Sequence, residues 1–205
     1  MDDNNKSVAL KYYNQAEYFI VAAELASKHA KKNKTKNPIA FNNFEAVIVG
    51  THHAFSAELL LKGIIYFYKG NHPKDHEIKN LLNHESCIQL KETIKNAFRP
   101  EIHISYSKEV LETQLDQYLK TLDKENKNDN KEIKRLNKIR NKYEFGSFEY
   151  FLELHSNHFV KMRYACEKDP PPLDMNFTSF LNERLRNELK RLLGRNDKLK
   201  LPHPL

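Results

Sequence analysis

Apolar residues recur along this chain at three- and four-residue steps and almost nowhere alternate at two-residue steps, which predicts an all-α protein. Ala9, Tyr12, Ala16, Phe19, Ile20, Ala23 and Ala30 form one stripe of a first helix over about residues 7–31. The run KKNKTKNP then ends it, because Asn33, Asn37 and Pro38 are poor helix formers. A second helix, about residues 42–69, carries apolar positions around nearly its whole circumference, so it is expected at the centre of a multi-helix bundle, with Gly70 as its C-cap. Ile78, Leu81 and Leu82 predict a short helix, and Ser86-x-x-Gln89 has the capping-box form that opens another, running to about Phe98 before Pro100. Ser107 is expected to cap a helix burying Val110, Leu111, Leu115, Tyr118, Leu119 and Leu122. The charged run 123–132 reads as a flexible loop or a charged helical continuation, and the loop is preferred. Ile133, Leu136, Ile139 and Tyr143 mark a short amphipathic helix stopped at Gly146. Ser147 opens another over 148–167, with Phe148, Phe151, Leu152, His155, Phe159, Met162 and Cys166 on one face and Pro170, Pro171 and Pro172 at its end. A last helix, about 178–193, sets Phe180, Leu181, Leu185, Leu189 and Leu192 opposite a basic face, before a flexible tail at 194–205. One weak strand pattern remains at 102–106, there is no internal repeat, and 1–205 reads as a single domain.

Composition narrows this picture. Only 5 Gly and 8 Pro leave little turn material for a many-stranded sheet. No apolar run reaches the roughly 20 residues of a membrane span; the longest candidate, 54–68, is interrupted by Glu58 and Lys62. The N-terminus MDDNNKS is acidic and polar where a signal peptide is basic and then apolar, so a cytoplasmic protein with no membrane partner is expected. Cys87 and Cys166 have no near neighbour and are expected to be buried, reduced thiols. The formal net charge of +7 favours polyanions or acidic proteins as partners. It is concentrated in 131–142 and 184–200, where Lys134, Arg135, Lys138, Arg184, Arg186, Lys190 and Arg191 are candidate contacts for a nucleic acid or a protein. Neither segment interleaves aromatic with basic residues as a single-strand stacking platform does.

Enzyme signatures are mostly missing. There is no Gly-rich phosphate loop, no G-x-S-x-G elbow and no H-E-x-x-H pair. His72 and His76 have metal-compatible spacing, but Pro73 and a loop setting argue against a rigid pair, and His155 with His158 lacks a carboxylate or thiolate to complete a site. No metal and no cofactor is expected. In the second helix Thr51, Glu58 and Lys62 fall on one side, with Glu58 four residues before Lys62 in the favourable orientation for an ion pair. Charges in so apolar a helix are costly unless paired. One economical arrangement pairs Glu58 with Arg163 and Lys62 with Glu167 across two packed helices, a polar clasp rather than a catalytic site.

The stretch HAFSAELLLKGIIYFYKG, followed by HEIKNLL and later by RNKYEF and RYACE, resembles the HEPN superfamily of small helical-bundle proteins. Ser56, Glu58, Lys62, Gly70, His76, Ile78 and Leu81 match the S-x-E-x-x-x-K helix, glycine turn and H-x-(I/L)-x-x-L step often found there, and the resemblance covers about half the chain. Active members are metal-independent RNases that dimerise and carry an Arg followed, after four to six residues, by a His. In them the ribose 2′-hydroxyl attacks in line, assisted by the His and stabilised by the Arg. Arg140 and Asn141 match the start of that signature, but Phe145, Gly146 and Ser147 occupy the positions open to the histidine. Tyr143 or Glu144 would have to replace it as acid–base group.

The resemblance therefore implies a HEPN-like fold and a homodimer without implying cleavage. The leading expectation is a non-catalytic binding or interaction module, RNA-associated, in bacterial defence, stress response or a toxin–antitoxin-like system. The alternatives are a divergent endoribonuclease built on Arg140 and Asn141, and a structural partner whose basic C-terminal helix docks on an acidic protein.

Overall fold

The computed structural model describes residues 3–36, 43–125, 130–156 and 174–195, and every regular element among them is helical. In chain order these are α1 (Asp3–Lys36), α2 (Asn43–Lys69), α3 (Ile78–Leu82), a 3₁₀ turn (Glu85–Cys87), α4 (Ile88–Ala97), α5 (Pro100–His103), α6 (Lys108–Glu125), α7 (Asn130–Lys142), α8 (Phe148–His155) and α9 (Met175–Leu192). The alternation at 102–106 does not give a strand: Pro100 sets the first turn of α5, and Arg99 O accepts from the backbone of His103. No helix among the described residues is long and apolar enough to cross a membrane.

α2 packs against α1 along much of its length, and also against α9, α3 and the 3₁₀ turn. Leu60, Leu61, Ile64, Ile65 and Phe67 of α2 are buried with Ala9, Tyr13, Ala16 and Ile20 of α1 and Leu181, Leu185 and Leu189 of α9 in one apolar cluster. Gly63 permits the close approach. A Cβ there would lie 2.7 Å from Leu189 Cδ2 and 3.0 Å from Tyr12 Cβ. A second concentration of rings, Phe98, Phe148, Phe151, Phe177 and Phe180, joins α4, α8 and α9 through contacts of 5.5–6.4 Å.

The caps follow local chemistry. Gly70 has φ +71°, the left-handed conformation that closes α2, and its N–H donates to Tyr66 O at 2.8 Å. Ser107 Oγ accepts from Val110 N and Ser147 Oγ from Tyr150 N, as expected. Ser86 does not cap its helix. The His84 ring accepts from Ser86 N, a 3₁₀ turn intervenes, and α4 starts at Ile88. α9 begins three residues earlier than expected, because the Asp174 carboxylate takes the N–H groups of Asn176 and Phe177. Part of the loop expected at 123–132 is helical: α6 continues to Glu125 and α7 starts at Asn130. Residues 126–129, the tail from 196 onward and the expected continuation of α8 from 157 lie outside the described residues.

Candidate nucleic-acid interface

α7 is held to the bundle by one face and presents the other to solvent. Leu136 and Ile139 are buried, as is Glu132, whose carboxylate takes two hydrogen bonds from the Arg135 guanidinium at 2.8 and 2.9 Å. Arg135 Nη1 also donates to Glu153 O of α8 at 2.5 Å. On the far side Lys131, Lys134, Asn137, Lys138, Asn141 and Lys142 are all exposed. The four lysines recur at steps of three, four and four residues, within about 80° of arc at the helical period. Among the described residues no carboxylate pairs with Lys131, Lys134 or Lys138, while the Lys142 ammonium lies 4.9 Å from the Tyr143 ring centroid.

Arg140 projects from a different side of α7. It forms ion pairs with Glu112 and, at 2.7 Å, with Asp116, both on α6. Partial burial works against its charge, but the two acids outweigh that and raise its pKa. Two carboxylates against one guanidinium leave the cluster net negative, which repels phosphate rather than stabilising it. Tyr150, the other nearby group, has its hydroxyl pushed up to about 12 by burial and by Glu112, so it is a poor base at neutral pH. Tyr143 is engaged as well. Its hydroxyl donates to Glu153 Oε1 at 2.8 Å, and Lys79 reaches the same oxygen at 2.6 Å. Glu144 and Asn141 are exposed, and the half-buried Phe145 packs its ring on Tyr150 and Phe151 at 5.5 and 5.8 Å. A histidine at that place would stand against the core.

The basic face of α9 is less available than its sequence suggests. Arg186 donates to Glu17 of α1 at 2.5 Å, and Arg191 makes two hydrogen bonds with Glu188 at 2.7 and 2.8 Å. Lys190 is half-buried, and the exposed Arg184 lies over the Phe180 ring at 5.4 Å. Cys87 is buried, with its thiol pushed up to about 12 by burial and the Glu188 charge, so it is a poor nucleophile.

Glu58 and Lys62 pair with each other at 2.8 Å, both almost fully buried. Arg163 and Glu167, the other half of the expected clasp, lie outside the described residues. The sequence reading missed His76 as a partner: its Nδ1 sits 2.8 Å from the same Glu58 oxygen. The signal was its place eighteen residues on, two residues before the short apolar helix that folds back on α2. His72 turns elsewhere, edge-on to Tyr12 at 5.5 Å, so the two histidines do not converge.

Ser105, His155 and Asp174 resemble a hydrolytic triad by composition but are wired as a cap. Ser105 donates from its backbone and its hydroxyl to Asp174, at 2.7 and 3.0 Å. His155 Nε2 accepts from the backbone N–H of Asp174 at 2.8 Å, and its Nδ1 donates to Phe151 O at 2.7 Å. Both ring nitrogens are thereby committed and the ring is neutral, with burial holding its pKa well below the usual range. His155 cannot act as a base there.

Comparison of the chain with known protein families, with curated proteins and with solved structures finds no match in any of the three.

Proposed function

We propose that this protein is a non-catalytic, HEPN-like interaction module that associates with RNA, built around the largely apolar α2 (Asn43–Lys69). The observation that carries the reading is the sequestration of Arg140 by Glu112 and Asp116. The residue that would stabilise a cleaving phosphate is neutralised within the fold. The Arg-x4-6-His spacing is missing beside it, and Phe145 fills a candidate histidine position with a core contact. An exposed lysine row on the same helix supplies attraction for a polyanion without any group to cleave it. A homodimer, a cytoplasmic location and a role in bacterial defence, stress response or a toxin–antitoxin-like system belong to the same reading.

The test is incubation of end-labelled RNA with excess protein at low salt, followed by both native and denaturing electrophoresis. The reading expects retarded RNA on the native gel and intact RNA on the denaturing gel. Cleavage that disappears in Arg140→Ala would replace it with the divergent-endoribonuclease reading. Absence of any RNA binding would leave the third reading, a partner for an acidic protein through α9.

A further inference from the structure

We propose that the row Lys131, Lys134, Lys138 and Lys142 on α7 is a docking surface for double-stranded RNA, which it contacts through the phosphate backbone without reading base sequence. The inference rests on the RNA-associated reading and specifies its surface and its ligand.

Spacing comes first. Steps of three and four residues keep the ammonium groups on one side of the helix, and eleven residues at 1.5 Å each extend the row over about 16 Å. A B-form strand carries a phosphate about every 3.4 Å of its axis and an A-form strand packs them more closely, so a straight row of that length faces several phosphates at once. Availability comes second. Lys131, Lys134 and Lys138 have no acidic partner among the described residues, whereas Arg186 and Arg191 of α9 are tied to Glu17 and Glu188. The helix under the row is fixed by Leu136, Ile139 and the Arg135–Glu132–Glu153 connections, so the charges are held in register before the ligand arrives.

The same face argues for a duplex over a single strand. Among the described residues it exposes no ring on which a splayed base could stack: Tyr143, at the end of α7, is half-buried, bonded to Glu153 and covered by Lys142. A flexible strand would be ordered along the row with no stacking gained in return. The amides of Asn137 and Asn141 flank the lysines along one side. Each offers a donor and an acceptor, the pair of functions that a ribose 2′-hydroxyl satisfies and deoxyribose does not. α7 lies on the surface with one side packed, so it can rest across the phosphates of an A-form duplex but cannot enter its narrow major groove.

The test is fluorescence anisotropy on the full chain with a mixed-sequence RNA duplex of about 20 base pairs, its DNA counterpart and one of the single strands, across a salt series. With three to four phosphates neutralised, affinity for the RNA duplex should fall about 100-fold between 50 and 200 mM salt. Substituting all four lysines by Gln should remove most of that dependence, and substituting them by Arg should keep it. A charge-matched control replacing the exposed Lys11, Lys28, Lys108 and Lys120 by Gln should also keep it. Circular dichroism checks that each variant folds. Equal losses in the two Gln variants would show that net charge acts without a surface and would overturn the proposal while leaving RNA association intact. Tighter binding of the single strand, or equal binding of the DNA duplex, would overturn it as well. No binding of any RNA would instead remove the reading on which it rests.

Discussion

At the scale of single residues, the buried charges decide most. Glu58 holds Lys62 and His76 on one oxygen, inside a helix whose neighbours are apolar. Removing the carboxylate in Glu58→Ala leaves the Lys62 ammonium buried without its partner, a change that costs about 3–5 kcal/mol. Replacing both, as Glu58→Leu with Lys62→Met, removes the desolvation along with the attraction and should cost much less than the sum of the two single changes. Denaturant unfolding of the double-mutant cycle checks this; additive losses would mean that the pair is not coupled. His53 and His155 make a second prediction. Burial, with the neighbouring His52, lowers His53 to about 4, and burial lowers His155 also, against an unfolded value near 6.5. Between those values the unfolded chain binds more protons, so the stability these rings contribute is complete above pH 6.5 and is lost as pH falls below it. Each contributes a slope of up to about 1.4 kcal/mol per pH unit. Melting temperatures measured from pH 7 down to 5.5 should fall, and less steeply in His53→Gln; an unchanged slope in that variant would contradict the account.

At the scale of elements, contacts between helices set what the periodicity could not. Gly63 reads in the sequence as a mild defect in a helix interior, yet its missing side chain leaves room for Tyr12 of α1 and Leu189 of α9 to approach α2 closely. Gly63→Ala would gain roughly 1 kcal/mol of helix propensity. It would also drive a Cβ against Leu189 and the stiff Tyr12 Cβ, and overpacking costs typically 1–3 kcal/mol. Thermal melts should therefore show a net loss; a stabilised variant would mean that the three helices have slack. Asp174 makes the complementary case. It caps α9 and ties Ser105 to it, so Asp174→Ala should cost about 2 kcal/mol or more in denaturant unfolding. Little of this was legible beforehand. The apolar stripe of α9 does reach back to the fully buried Phe177, four residues before Leu181, but the carboxylate that begins the helix acts through backbone N–H groups that leave no periodic trace. Caps using the same local chemistry as the pattern, Ser107, Ser147 and Gly70, were readable for that reason.

At the scale of the whole molecule, the helical class follows from spacing alone, but the stripes follow only in part: Tyr13 rather than Tyr12 is fully buried on α1, and Val110 of α6, expected inside, is exposed. The candidate surface was only half legible. Charge counting treats segments 131–142 and 184–200 alike, since both are rich in Lys and Arg with few acids between them. Tertiary pairing then separates them: Glu17 and Glu188 take cations of α9, while Lys131, Lys134 and Lys138 of α7 pair with no acid among the described residues. Arg140 shows the same limit from the other side. Its partners Glu112 and Asp116 are one turn apart on α6, a spacing visible in the sequence, but only the packing of α6 on α7 brings them to it. Whether the protein holds RNA without cutting it is the central claim, and one measurement addresses it most directly. Labelled RNA held at saturating protein in low salt, with bound fraction and chain integrity read from the same sample over time, should remain bound and full-length. Fragments accumulating in the wild type and not in Arg140→Ala would contradict the claim.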